Sequence, residues 1–295
     1  MSTPEFTANR ENFCYRHPDR QSFVLCQRCL RTICPECQTQ GPVGVICPEC
    51  LKEQRKAESP AQRRARRQWG MSSAADGKPI VTYAIMAVTS LVSLVAMIPG
   101  VGTQISNTLA FFAPYLYPNL FNAPFEPWRL LTVLLVHGGF VHLALNMLAL
   151  WMIGRSLEPM LGRWRYLTLY LISGLGGSVM VACLDPLQAT VGASGAIFGL
   201  MAALLIVGRH LGANVTGILV ILVINFAYGF FAGGISWQAH LGGAIVGALV
   251  AYIFTRTKRA KQRGLQIGLL SAVVVGLLAI VAFVPPALLT AGVFG

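Results

Sequence analysis

Apolar residues gather into seven long runs along the 295-residue chain, near 80 to 98, 140 to 160, 166 to 184, 190 to 208, 215 to 232, 236 to 254 and 265 to 284. Each approaches the roughly 20 residues an α-helix needs to cross a bilayer, so the pattern predicts an all-α polytopic membrane protein. The second run is the hardest to place, because apolar positions begin at Leu130 while Gly138 and Gly139 interrupt them; the helix is expected to start near Phe140. The stretch from about Gly100 to Gly139 then becomes a long outer connection carrying Phe111, Phe112, Tyr115, Tyr117, Phe121 and Trp128. It is too apolar for a disordered loop, and its rings suit the membrane–water interface, so it is expected to lie partly submerged there.

Ahead of the first run the pattern is polar. Residues 1 to 79 hold 13 of the 23 Lys+Arg and 8 of the 11 Asp+Glu. With 55% hydrophobic and 12% charged residues overall, against roughly 25% charged in an ordinary globular domain, a single soluble globular protein is excluded. The net charge of +12 does not point to nucleic acid, since the basic residues fall beside apolar spans, where they orient a protein in the membrane. Arg63, Arg64, Arg66 and Arg67 hold the start of the first span inside; counting onward places Arg155, Arg163, Arg165, Arg209 and the run from Arg256 to Arg263 inside too, with Glu126, Arg129 and Asp185 in outer loops. This predicts a cytoplasmic amino terminus and an outer carboxyl terminus. The first 20 residues have no apolar core and read neither as a signal peptide nor as a transit peptide, which favours a bacterial plasma membrane.

Seven of the eight cysteines lie between Cys14 and Cys50, with Cys183 alone in the apolar part. The ligand pairs are Cys14 with His17, Cys26 with Cys29, Cys34 with Cys37 and Cys47 with Cys50, each separated by two residues. That spacing lets two ligands grip one tetrahedral zinc, and eight ligands make two structural Zn²⁺ ions. Disulfides would need an oxidising compartment, which the expected cytosolic side does not offer. About 40 residues bury too little apolar surface to fold alone, so zinc supplies the stability. No base or open coordination position is left over, and the module reads as a binding or regulatory domain with a cytosolic protein partner. Its order and spacing resemble the B-box zinc finger, loosely at Cys47 and Cys50 where that family often has histidines; the resemblance implies interleaved sites, first pair with third and second with fourth.

Within the spans the polar candidates are few: Ser194, His240, His142 and Asn146, with no Asp or Glu at a span's middle. Ionisable groups in a bilayer are costly and therefore functional candidates. Taken alone, Ser194 is more often a packing residue and His240 a helix-packing histidine. Counted from 190 and 236, however, each is fifth in its span, about 6 Å below the outer edge at 1.5 Å per residue. Gly195-x3-Gly199 and Gly243-x3-Gly247 let the two helices approach closely. A serine beside a histidine is the minimum for nucleophilic acyl transfer, and with no carboxylate available the set is a dyad. His142 and Asn146 share a helix face; they are either polar glue between helices or, with the Ser194 amide, donors to an oxyanion.

Gly192-Ala193-Ser194-Gly195, Ala239-His240 with Gly243 and Gly247, His142-x3-Asn146 and Trp128-Arg129 together resemble the rhomboid intramembrane serine proteases, over roughly residues 80 to 254. The resemblance implies a six-helix catalytic core in which Ser194 is the nucleophile, His240 the general base, and His142, Asn146 and the Ser194 amide the oxyanion hole. It also implies that Trp128-Arg129 shapes a half-submerged loop, that His137 lies near the mouth of the site, and that no cofactor serves catalysis. Phe198 stands where the family commonly has a tyrosine on the histidine. The expected division is a flexible tail over 1–11, a two-zinc domain over 12–51, a basic juxtamembrane linker over 52–79, the core over 80–254, a basic inner loop over 255–264, and a seventh span with outer tail over 265–295. The expected function is endopeptidase cleavage of transmembrane protein substrates near the outer face, with the bilayer itself as partner and the zinc module recruiting substrate. A catalytically inactive membrane-protein binding factor, which would be expected to lack one dyad member, and a proton-coupled transporter, which would want embedded acids, are the competing readings.

Overall fold

The computed structural model describes residues 10–40, 44–57, 78–213, 215–231 and 234–292. Most of the expected tail, the linker from 58 to 77 with its Arg63, Arg64, Arg66 and Arg67, and residues 293–295 lie outside the described residues. The chain divides into two compact units, the second beginning just ahead of the first apolar helix.

The amino-terminal unit has almost no regular structure beyond a two-stranded antiparallel ribbon, β1 (Thr39–Gln40) with β2 (Val45–Ile46), and the helix α1 (Pro48–Ala57). Its interior is Ile33 among six buried cysteines. The first residues expected in the linker, 52 to 57, continue α1.

In the second unit the helices are α2 (Ile80–Ala96), α3 (Val101–Leu109), α4 (Pro118–Phe121), α5 (Arg129–Thr132), α6 (Phe140–Leu161), α7 (Arg163–Leu184), α8 (Ser194–His210), α9 (Thr216–Phe231), α10 (Trp237–Arg256) and α11 (Arg263–Thr290). Of these, α6, α7, α10 and α11 are long and apolar enough to cross a membrane, while α2, α8 and α9 are apolar but shorter. Helices α7, α8 and α10 form the centre. A Cβ added to Gly243 would stand 1.9 Å from the Gly195 carbonyl oxygen, and one on Gly247 would stand 2.4 Å from Gly199 Cα; the two backbones touch where the glycine spacing brings them together. Around this centre α9 buries only Gly229.

The region from Gly100 to Gly139, expected as a connection, folds into α3, α4, α5 and two 3₁₀ turns. A single cation organises it. Arg129 is 4% exposed; it pairs with Glu126, donates to the Asn107 and Ala110 carbonyls and lies 4.1 Å over the Tyr115 ring. Of the charges placed in an outer loop, Arg129 is thus buried against a half-buried Glu126, and Phe111 and Tyr117 are core residues, while Trp128 stays 47% exposed.

Two polar side chains settle backbone groups that helices leave open. Glu158, near the end of α6, accepts from the Val81 and Thr82 amides at 3.0 and 2.8 Å and from the Thr82 hydroxyl, capping the first turn of α2 with a negative charge where the helix dipole favours one. Pro285, inside α11, has no N–H for the carbonyl of Val281, and the Tyr117 hydroxyl donates to that carbonyl at 2.7 Å instead.

Candidate active site

The chain enters α8 along a short extended segment. Phe111 and Thr190 exchange backbone hydrogen bonds at 2.9 and 2.8 Å, and the Gly192 amide donates to the Val133 carbonyl. Helix α8 therefore begins at Ser194 and not near 190, because Thr190 and Gly192 give their hydrogen bonds to the loop. Ser194 is the first residue of its helix and His240 the fourth of α10, so the counting that made each the fifth does not hold. What brings them together is the glycine contact between α8 and α10.

His240 Nε2 lies 2.9 Å from Ser194 Oγ. The imidazole is 7% exposed, and Phe198, one turn along α8 from Ser194, stacks on it at 4.0 Å and 8°. For the hydroxyl to donate, Nε2 must be bare and Nδ1 must carry the proton. Nδ1 is buried with no protein partner among the described residues; it faces Gly229 of α9, where a Cβ would come within 3.1 Å.

His142 and Asn146 sit on α6 beside this pair. The Gly138 amide donates to His142 Nδ1 at 3.4 Å, which leaves the proton on Nε2. That nitrogen lies 2.9 Å from where a Gly192 Cβ would be, and Gly192 has φ +121; glycine is needed there both for the backbone and for the ring. Asn146 differs from expectation: its amide nitrogen donates at 2.9 Å to the His142 carbonyl of its own helix, while its buried Oδ1 has no protein partner among the described residues. Thus Ser194, His240, His142 and the Gly192 peptide cluster together, and Asn146 borders them with its donor turned away.

His137, expected near the mouth, is 5% exposed. Ser93 Oγ donates to the Leu135 carbonyl at 2.8 Å and stands 2.9 Å from His137 Nδ1. With its only proton spent, Ser93 must accept from Nδ1–H, so Nε2 is bare and receives the Ala193 amide at 3.3 Å. This relay from α2 fixes the peptide just before Ser194. Sequence reasoning missed Ser93, since a serine in an apolar helix ordinarily bonds its own backbone. A cavity of about 10 Å³ adjoins Ser194 and is lined in part by Ser178 and Thr190, room for one water.

In the amino-terminal unit Cys14, His17, Cys34 and Cys37 converge, as do Cys26, Cys29, Cys47 and Cys50, with ligand atoms within 4.8 Å of one another in each set. Each set could hold one metal ion, and the pairs interleave. Burial pushes the Cys14 thiol up, but amides of Cys34, Arg16 and His17 outweigh it and bring it down to about 6. Cys37 is pushed up to about 11, by burial and then by the Cys14 and Cys34 sulfurs. Sulfurs that oppose one another's ionisation at such close range suit a metal cation between them.

A family model described as the Rhomboid domain matches residues 124–257. The chain is 38% identical over 213 residues to Rhomboid protease GluP of Bacillus subtilis (strain 168), covering 69% of this chain and 41% of that protein. To RHOMBOID-like protein 5 of Arabidopsis thaliana it is 42% identical over 139 residues, 43% of this chain and 44% of the relative. To YdcA of Bacillus subtilis (strain 168), provisionally named a rhomboid protease, it is 35% identical over 149 residues, 48% of this chain and 75% of the relative. The chain thus spans less than half the length of the first two relatives.

Proposed function

The chain is a multi-pass membrane protein of the rhomboid family, and from that premise we propose that it is an intramembrane serine endopeptidase acting on transmembrane proteins through Ser194 and His240. The observation that carries this reading is the 2.9 Å approach of Ser194 Oγ to His240 Nε2, a nucleophile and base already within proton-transfer reach. Ser194 Oγ attacks the scissile carbonyl as its proton passes to Nε2. The imidazolium then protonates the departing amine, and water hydrolyses the acyl-enzyme; the cavity beside Ser194 is of a size to hold that water. Phe198 holds the ring face while leaving both nitrogens clear.

The developing oxyanion needs fixed donors. In this reading they are His142 Nε2–H and the Ser194 amide, the latter in the first turn of α8 where helical amides lack internal partners. Asn146 joins them by rotating its amide off the His142 carbonyl. The dyad lies at the amino-terminal ends of α8 and α10, whose other ends carry Arg209, His210 and Arg256. On the positive-inside rule this puts cleavage toward the outer face, with the amino terminus cytoplasmic.

In the amino-terminal unit the two ligand sets are read as structural Zn²⁺ sites, since all eight ligands are consumed and no position stays open for chemistry. The module serves to recruit a substrate's inner tail or a cytosolic partner. The domain division proposed is the one read from the sequence. Incubating the purified protein with a panel of single-span membrane proteins tests the central claim: cleavage by the wild type should vanish in Ser194→Ala. Cleavage persisting in that variant would reject the mechanism, and no cleavage of any substrate by either would favour a binding factor.

A further inference from the structure

Every large apolar residue exposed in the described part of the amino-terminal unit falls within eight positions: Phe23 at 66%, Val24 at 39%, Leu25 at 46% and Leu30 at 70%. Leu25 pairs with Thr32 across the turn that holds Cys26 and Cys29, so Leu30 stands on that turn. Its backbone is left-handed, with φ +58, a conformation that costs a leucine and suits glycine. At the matching place after the third ligand pair, Gln38 has ordinary extended backbone with φ −86. Folding gains nothing from a leucine at position 30, because the backbone is strained and the side chain stays in contact with solvent. An exposed apolar patch kept in spite of strain marks a surface for something else.

The surroundings identify the partner. Arg20, Arg28 and Arg31 flank the patch in sequence and are exposed. Arg20 pairs with Glu36, Arg28 with Glu53 at 3.8 Å, and Arg31 lies over the Tyr15 ring, exposed contacts that phosphates can replace. The stretch 58 to 77 joins the unit to one that crosses a membrane. Apolar side chains on a turn with a basic collar suit the boundary between headgroups and acyl chains, and a tethered module meets that surface at high effective concentration. We propose that the turn of Leu25 and Leu30 docks on an anionic lipid surface, its leucines entering the acyl boundary and its arginines meeting phosphates. The inference rests on the zinc-held reading of this unit, so bound zinc is measured in the same samples.

The full chain is reconstituted in nanodiscs of phosphatidylcholine alone or with one-third phosphatidylglycerol, carrying benzoylphenylalanine in place of Leu30 or, as control, of Gln54, which is exposed on α1. On irradiation, lipid adducts at position 30 should rise at least about fivefold with phosphatidylglycerol, as basic attachment to anionic lipid requires, while the control stays at background. In the otherwise native chain, Leu30→Asn, which tolerates the left-handed backbone, should return hydrogen exchange over residues 22 to 32 to its phosphatidylcholine rate with two zinc ions retained. Background adducts in both lipids from a fully zinc-loaded chain overturn the proposal. So does protection that appears only when a substrate with an acidic, apolar inner tail is added, which gives the surface to a protein. Lipid adducts from a chain that binds no zinc keep the docking and remove the metal reading, so the two fail separately.

Discussion

At the scale of single residues, the proton on Ser194 faces the bare nitrogen of His240 at 2.9 Å. A hydroxyl is a weak nucleophile without its base. A fluorophosphonate should therefore label Ser194 in the wild type, and gel fluorescence should show no labelling in His240→Ala at equal protein. Asn146→Ala should lower kcat by about 10²-fold to 10³-fold with KM nearly unchanged, the signature of a donor that acts only in the transition state. Its resting bond to the His142 carbonyl is local to α6, so steady-state kinetics, and not thermal melting, is where that variant departs from wild type. The approach of Ser194 to His240 is legible in the sequence because a membrane strips away polar alternatives, leaving few side chains able to do chemistry. Ser93 and Glu158 are not legible: their roles depend on carbonyls and amides of other segments, which residue spacing does not reveal.

At the scale of elements, the helices are legible because lipid forces apolar runs to be long and hydrogen-bonded internally. The region from Gly100 to Gly139 is not, since its order comes from Arg129 capturing distant carbonyls and from the pairing of Phe111 with Thr190. The same pairing delays the start of α8. The glycine contact between α8 and α10 decides whether the dyad exists at all. Gly243→Ala would place a methyl 1.9 Å from the Gly195 carbonyl, backbone that cannot swing aside, and should cost on the order of 1–3 kcal/mol. Thermal unfolding in detergent should show a lowered midpoint together with weaker labelling of Ser194. Gly217→Ala, on α9 with nothing within 4 Å, should leave both unchanged.

At the scale of the whole molecule, the two units answer to different physics: one gathers eight ligands that could hold metal around a minimal interior, and the other is built of apolar helices. On the proposed reading structural zinc is the first unit's main source of stability, and chelation should melt it. Deletion of residues 1–60, or chelation, should leave fluorophosphonate labelling of Ser194 at the wild-type rate, while cleavage of a substrate with an intact inner tail slows; labelling lost with zinc would mean that the units are coupled. The carboxylate of Glu158 has a consequence for how the second unit is made. The opening amides of α2 are satisfied by a residue 77 positions further along the chain, one the ribosome has yet to deliver when α2 emerges. Until α6 arrives those amides must take water as their partner, so α2 gains its protein cap only when α6 reaches it.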